Sequence, residues 1–181
     1  LAVAIEVIMI LSIVAIFMGM LNDQKQRTNG IGADLMLRPS SASYMNGVGG
    51  STIPVKFADV LRRLPHVAVV SPVNQSLTTN GSVQVIFGID YPSFNALKPF
   101  VFVAGGPFKE SDDVIIDDIE AKTNGGYHIG DTKEVFDHKF TVSGIVEHGK
   151  GGRVLLPLAT MDDLTGSPDK ASIFYITCDD P

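Results

Sequence analysis

The chain has 181 residues, and its 14 Lys and Arg against 20 Asp and Glu leave a formal charge of −6 and a pI near 5.0. That balance offers no general basic surface to a phosphate backbone, so nucleic acid is set aside as a partner. One cysteine, Cys178, rules out an internal disulfide and a multi-cysteine zinc site, and the length suits one ordinary domain with an appendage.

The first segment, Leu1 to Leu21, has only Glu6 and Ser12 as polar interruptions. Roughly 20 apolar residues at about 1.5 Å each cross a hydrocarbon core of ~30 Å, and Ile, Val and Leu lie all round the helix, so a transmembrane helix is predicted over 1–21. A secretory signal has a shorter apolar core, about 7 to 15 residues, and a small-residue cleavage motif that is not evident here. Asn22 to Gly32 is polar and reads as a linker leaving the membrane. The remainder, 33–181, reads as one domain, incomplete at its C-terminus. The first residue is Leu, and the chain stops directly after an apparent strand, so a piece of a longer protein is expected.

Within the domain, Ala33 to Pro39 reads as a short strand and Ser40 to Ser51 as a mobile loop. Helical spacing over Val55 to Leu64 places Phe57, Val60, Leu61 and Leu64 on one apolar face, and Pro65 ends that helix. Val67–Thr79 and Ser82–Asp90 are predicted to pair antiparallel across Asn80-Gly81, which tolerates the positive φ of a tight turn. Tyr91–Leu97 suggests a helical turn, Phe100–Val103 an apolar run, Val114–Asp117 a buried strand and Asp118–Thr123 a short helix. A second hairpin is expected from Thr132–Phe136 and Phe140–Val146, turning through Asp137-His138-Lys139. Val154–Leu156 reads as a strand, Leu158–Leu164 as a helix closed by Gly166, and Ser172–Cys178 as a last strand. Together they predict an α+β fold, mixed and mostly antiparallel.

Candidate chemistry is sparse. His66, His128, His138 and His148 contain no i,i+4 ligand pair and flank turns or strand ends, so no metal ligands are assigned. The pairs Asp112-Asp113, Asp117-Asp118 and Asp162-Asp163 offer carboxylates, but neighbours on a strand face opposite ways, and turn or cap chemistry explains them better. His148-Gly149-Lys150-Gly151-Gly152-Arg153 lacks the spacing of a phosphate loop and precedes a strand, so it reads as a glycine turn. Neither Ser51 nor Ser71 sits in a nucleophile elbow. Asn74-Gln75-Ser76 and Asn80-Gly81-Ser82 fit the glycosylation sequon and are read as hairpin residues. Glu6 is costly inside a membrane unless it meets protein or reaches the interface, and both positions stay open. Cys178 is expected to share an inward strand face with Phe174 and Ile176. No catalytic, cofactor-binding or metal-ligating residue is assigned.

The apolar helix followed by LNDQKQRTNGIGADLMLRPSSAS, then LRRLPHVAVVSPV, VIFGIDYPSF, GGPFKESDDVIIDD and HIGDTKEVFDHKFTVSGIVEHGKGGRVLLPL, resembles in order the periplasmic core region of MacB/FtsX-like ABC-transporter permeases. The resemblance covers nearly the whole chain. It implies a permease fragment without an enzyme activity of its own, whose external domain couples cytoplasmic ATP hydrolysis to export or release of a substrate. It also implies a cytoplasmic ABC ATPase subunit, a homodimer or paired permease, a periplasmic adaptor and outer-membrane channel in some members, and residence in lipid of the inner (plasma) membrane with the main domain periplasmic. No substrate-binding residue carries over, and no Walker motif is present. The alternative is a membrane-tethered binding or scaffold domain without an ATPase partner. Lys25 and Arg27, just past the helix, would by local count lie in the cytoplasm. The resemblance puts that flank outside, and long domains are translocated largely regardless of such charges.

Overall fold

The computed structural model describes residues 2–40, 51–78, 84–123 and 125–179. Residues 41–50 of the expected loop and the expected turn at Asn80-Gly81 lie outside them. The first element is a single helix, α1 (Ala2–Ile31). It does not end at Leu21, and the segment 22–32 expected to be a linker is helical to Ile31. Gln, Lys and Arg at 24–27 are good helix formers. Arg27 Nε also binds Asp23 Oδ2 one turn back at 2.7 Å, and Thr28 Oγ1 donates to the Gln24 carbonyl. The helix stops where Gly32 takes φ 79, a conformation open to glycine at little cost.

The domain is built on a nine-stranded sheet. Its strands are β1 (Leu35–Leu37), β3 (Val67–Thr78), β4 (Gln84–Ile89), β5 (Phe102–Gly105), β6 (Asp113–Asp117), β7 (Thr132–Val135), β8 (His138–Val146), β9 (Val154–Pro157) and β11 (Ile173–Cys178). They lie in the order β1-β11-β3-β4-β9-β6-β8-β5, with β7 also paired to β8. Among the described strands only β4–β9 and β6–β8 run parallel, so the sheet is mixed and mostly antiparallel, as expected. The predicted pairing of β3 with β4 runs from Val73↔Ile89 to Thr78↔Gln84. A two-stranded ladder of β2 (Ile53–Pro54) and β10 (Lys170–Ala171) was not foreseen. Strands of two residues carry no periodicity to read.

Alternation divides the core between the faces of the sheet. Ile89, Ile115 and Leu155 face one cluster with α3 (Tyr91–Leu97), whose Phe94 is fully buried. Ile86, Val114, Ile116, Val154 and Leu156 face the other, under Met161 of α4 (Leu158–Thr165). Burial on both faces explains the unbroken apolar runs of β6 and β9. Asp90 caps α3 by accepting from Ser93 N, and Gly166 closes α4 in the left-handed conformation.

Three local expectations need correction. The helix predicted over 55–64 is α2 (Phe57–Leu61), and of its expected apolar face only Leu61 is buried. Ala58 packs beside it, whereas Val60 and Leu64 are half exposed, because Leu64 lies beyond the helix and the small Ala58 side lets the helix sit close. The second hairpin turns on two residues, Phe136 and Asp137, both with positive φ, so His138 and Lys139 already belong to β8, opposite Val135 and Glu134. The helix expected over 118–123 is a 3-10 turn at Glu120–Lys122, with Glu120 N donating to Asp117 Oδ1.

Candidate functional site

The place where α1 enters the domain is built from backbone as much as from side chains. Ile31 is 3% exposed and joins the cluster of Phe87, Phe94, Leu97 and Phe100. The Gly32 carbonyl accepts from Thr177 Oγ1 at 3.2 Å, and Asp34 Oδ2 accepts from Cys178 N at 2.8 Å, tying the helix exit to β11. From the other side the turn 148–153 closes on the helix. Arg27 Nη1 donates to the Gly151 carbonyl at 3.0 Å. Gly30 lies so near the Gly149 carbonyl that a Cβ there would overlap it, and a Cβ on Gly151 would come within 2.6 Å of the Phe87 ring. A side chain at Gly30 would therefore push the helix off the turn, and one at Gly151 would push the turn off Phe87 of β4.

The charges around this joint are unevenly matched. His148 Nδ1 lies 2.8 Å from Asp118 Oδ1, and His148 N donates to the same oxygen at 3.0 Å. Burial works to raise the Asp118 pKa, but the bonds from His148 and Lys122 outweigh it and hold it below the ordinary carboxylate value. Lys150 is 8% exposed, donates to the Lys98 carbonyl and lies 5.0 Å from the centre of the Phe100 ring. Burial, with the nearby charge of Lys98, pushes its pKa down to about 8. Asp117 is 3% exposed; burial raises its pKa, against the bond from Glu120 N and the charges of Arg153 and Arg27.

The other candidates are dispersed. His66 pairs with Asp179, His128 with Asp131 and His138 with Asp112, so each of the four histidines meets a different aspartate. Among the described residues no three His, Cys, Asp or Glu gather where they could hold a metal. Each carboxylate pair splits: Asp113 is buried and accepts from Lys109 N and Glu110 N, while Asp112 is exposed beside His138. Asp162 is buried against Asn74 Nδ2 at 2.7 Å, and burial raises its pKa against the bonds from Asn74 and the Lys170 backbone. Asn74 is thereby enclosed, and Asn80 lies outside the described residues. Ser71 is buried under Ser93, while Ser51 is exposed. Cys178 is half-buried after a register shift at Thr177, which turns it out of the cluster that holds Phe174 and Ile176. A cleft of about 340 Å³ between Asp90, Tyr91, Phe108, Leu158 and Asp169 has no basic lining residue.

Sequence reasoning singled out the turn 148–153 but missed its partner. Arg27, Gly30 and Ile31 were read as linker. The available signals were the Asp23/Arg27 spacing and one apolar residue, Ile31, at the end of a polar run.

A family model described as the MacB-like periplasmic core domain matches residues 1–181. No curated protein matches the chain. Among solved structures, the periplasmic region of MacB from Actinobacillus actinomycetemcomitans is similar with a TM-score of 0.56 at 16% identity, over 71% of this chain and 66% of that one. The extracellular domain of the noncanonic ABC-type transporter YknZ from Gram-positive bacteria gives 0.59 at 13%, over 80% and 82%. A domain assigned to a permease protein of Porphyromonas gingivalis gives 0.52 at 18%, over 75% and 72%. At these identities the likeness is one of fold, and the chain spans just under two thirds of the MacB region.

Proposed function

The chain belongs to the family of MacB-like periplasmic core domains, and from that premise we propose that it is the extracytoplasmic part of an ABC-transporter permease that delivers motion of its membrane helix to the external domain. Residues 1–21 form the span, 22–31 continue it as a stalk, and 33–181 lie outside the inner (plasma) membrane. A helix of 30 residues is about 45 Å long, roughly 15 Å more than the hydrocarbon core needs. Every described side chain of the first part, from Val3 to Leu21, is exposed, which suits lipid and not water.

The observation that carries this reading is the joint. A helix held by a bare turn would swing independently of the sheet. Here Arg27, Gly30 and Ile31 are seated against the turn 148–153 and the core, so a piston or tilt of α1 reaches β9 and β11 through close-packed atoms. Arg27 is committed to Asp23 and to the domain, which weakens the local charge count that would keep this flank in the cytoplasm.

The partners in this account are a cytoplasmic ABC ATPase and a second permease copy or paired permease. A periplasmic adaptor and an outer-membrane channel join where the envelope has two membranes. The product of the cycle is export or release of a substrate, and no chemistry on that substrate is required. The test is purification from the native membrane with mild detergent, asking whether an ABC ATPase travels with the chain. It is paired with impermeant-maleimide labelling of Ser111→Cys, an exposed position, in a Cys178→Ser background. Co-purification and labelling of intact cells, with outer-membrane access controlled, are expected. Labelling only after the inner membrane is broken would overturn the reading, and an external domain that never brings an ATPase would leave a tether or scaffold.

A further inference from the structure

β4 and β9 are neighbours in the sheet and run parallel, ending at Ile89↔Pro157. Each passes directly into a helix, and the two helices leave on opposite faces. Phe94 of α3 packs with Ile89 and Leu155, while Met161 of α4 packs with Ile86 and Leu156. Adjacent parallel strands whose connections diverge in this way open a crevice beyond their carboxyl ends, and in sheets of that kind the crevice is where ligands bind. Here it is a cleft of about 340 Å³, lined from the strand ends by Ile89, Pro157 and Leu158. That volume is at the small end of the range for organic ligands, roughly 300–1,000 Å³.

The walls of the cleft carry two kinds of chemistry. Tyr91 stacks on Phe100 with ring centroids 5.6 Å apart and planes 10° from parallel, and Phe108 meets it edge-on at 6.1 Å, so Tyr91 and Phe108 form a fixed aromatic side. The charged lining is Asp90, Asp162 and Asp169. Asp90 Oδ2 accepts from Ser93 N, and Asp162, 5% exposed, accepts from Asn74 Nδ2. Asp169 is exposed at φ 57, held there by Val55 N donating to its carbonyl at 2.9 Å. Among the described residues none of the three enters an ion pair. Lys56, Lys109 and Lys170 each adjoin a lining residue in the chain, yet all three are exposed and none lines the cleft.

A crevice of this type that takes phosphate does so through free backbone N–H groups and cations. This one sets an aspartate at the start of α3 and has no lining cation, so it repels an anion. An uncharged ligand would leave three carboxylates without a counter-charge. A cation on an apolar body answers both walls, with charge-assisted hydrogen bonds to the carboxylates and contact with the aromatic side. We propose that the cleft at the carboxyl ends of β4 and β9 is a binding site for a compact organic cation, an ammonium or guanidinium-like group on an aromatic or short aliphatic body. The site belongs to this chain alone and stands whether or not an ATPase accompanies it.

The experiment uses the full chain in lipid nanodiscs at pH 7 and two probes, benzamidinium and 2-phenylethylammonium, titrated by saturation-transfer-difference NMR against empty nanodiscs. Saturable binding is expected, about tenfold tighter for benzamidinium than for neutral benzamide of the same shape, and none for benzoate. Asp169→Asn should weaken it about threefold. Ala159→Trp fills the cleft from an exposed lining position without changing the net charge, and should abolish binding. That variant separates the cleft from the general pull of a chain of charge −6 on cations. Thermal melts check that the variants fold, and if Ala159→Trp does not, Asp169→Asn decides alone. No saturable binding of either probe, equal affinity for benzamide, or affinity that neither variant changes overturns the site. Because binding is read on the isolated chain, failure here is separate from failure of the transport reading, which turns on co-purification and labelling.

Discussion

Two lysines lie almost equally deep in the domain, Lys133 at 6% and Lys150 at 8% exposure, and their surroundings differ in kind. Lys133 Nζ meets Glu120 Oε1 at 2.7 Å and lies 4.6 Å from the Tyr127 ring centre, while Gln84 Nε2 donates to the second oxygen of Glu120 at 2.9 Å. Lys150 has the Lys98 carbonyl and the face of Phe100, and among the described residues no carboxylate pairs with it. One cation is locked into a closed network that fastens the 3-10 turn and β7 to β4. The other sits at the joint with its charge unbalanced. The core is fixed there by complementary charge, whereas the joint is held by the close packing of Gly30 and Ile31, from which the unbalanced charge of Lys150 subtracts.

The largest expected effect breaks the closed network. Glu120→Ala leaves Lys133 charged and unpaired in the interior and should cost about 3–5 kcal/mol of unfolding free energy, read from denaturant titration of the full chain in detergent. A loss of under about 1 kcal/mol would place the two lysines in the same class after all.

Next in size is the joint itself. Gly30→Val forces a branched side chain into the Gly149 carbonyl and should destabilise by about 1–3 kcal/mol, with limited proteolysis appearing first in 148–153. Equal protection of that turn in both proteins would mean that α1 does not rest on it.

Lys150→Met should act in the opposite direction from Glu120→Ala, raising stability at pH 7 by roughly 1–2 kcal/mol. The folded chain releases this proton near pH 8, whereas the unfolded chain holds it to the ordinary value of 10.5, so the native protein gains stability as pH rises between them. Thermal melts at pH 7 and pH 9.5 should therefore show the advantage of Lys150→Met shrinking with pH. A lower melting temperature for the variant at pH 7 would show that the carbonyl and the Phe100 face fully compensate the charge.

The smallest effect belongs to a pair at the surface. Arg62 Nη1 meets Asp59 Oδ1 at 3.0 Å with both side chains about half exposed or more, so Asp59→Asn should change the melting free energy by no more than about 0.5 kcal/mol.

How much of this was legible follows from where the information lies in the chain. β6, β9, α3 and α4 could be read because apolar spacing and Gly166 are local signals. The end of α1 could not, since polar residues such as Gln24, Lys25 and Gln26 suit a linker and an exposed helix equally. Of the turn Phe136-Asp137 only Asp137 was read, because a bulky Phe136 with positive φ is unusual and the polar His138 and Lys139 drew the prediction one step too far along the chain. The joint was least accessible of all. Arg27 and Gly151 are 124 residues apart, and nothing in either segment names the other. Asp117 was one of two adjacent aspartates, and its bond from Glu120 N depends on a 3-10 turn that the sequence reading took for a helix.

The seating of α1 on the turn 148–153 is the claim on which the account depends, and hydrogen–deuterium exchange of the full chain in nanodiscs tests it most directly. The account predicts that amides of the last turn of α1, 27–31, and of 148–153 are protected together. It also predicts that Gly30→Val exposes both while β9, at 154–157, stays protected. Exchange of 148–153 at the rate of a free surface loop in the unsubstituted chain would contradict it.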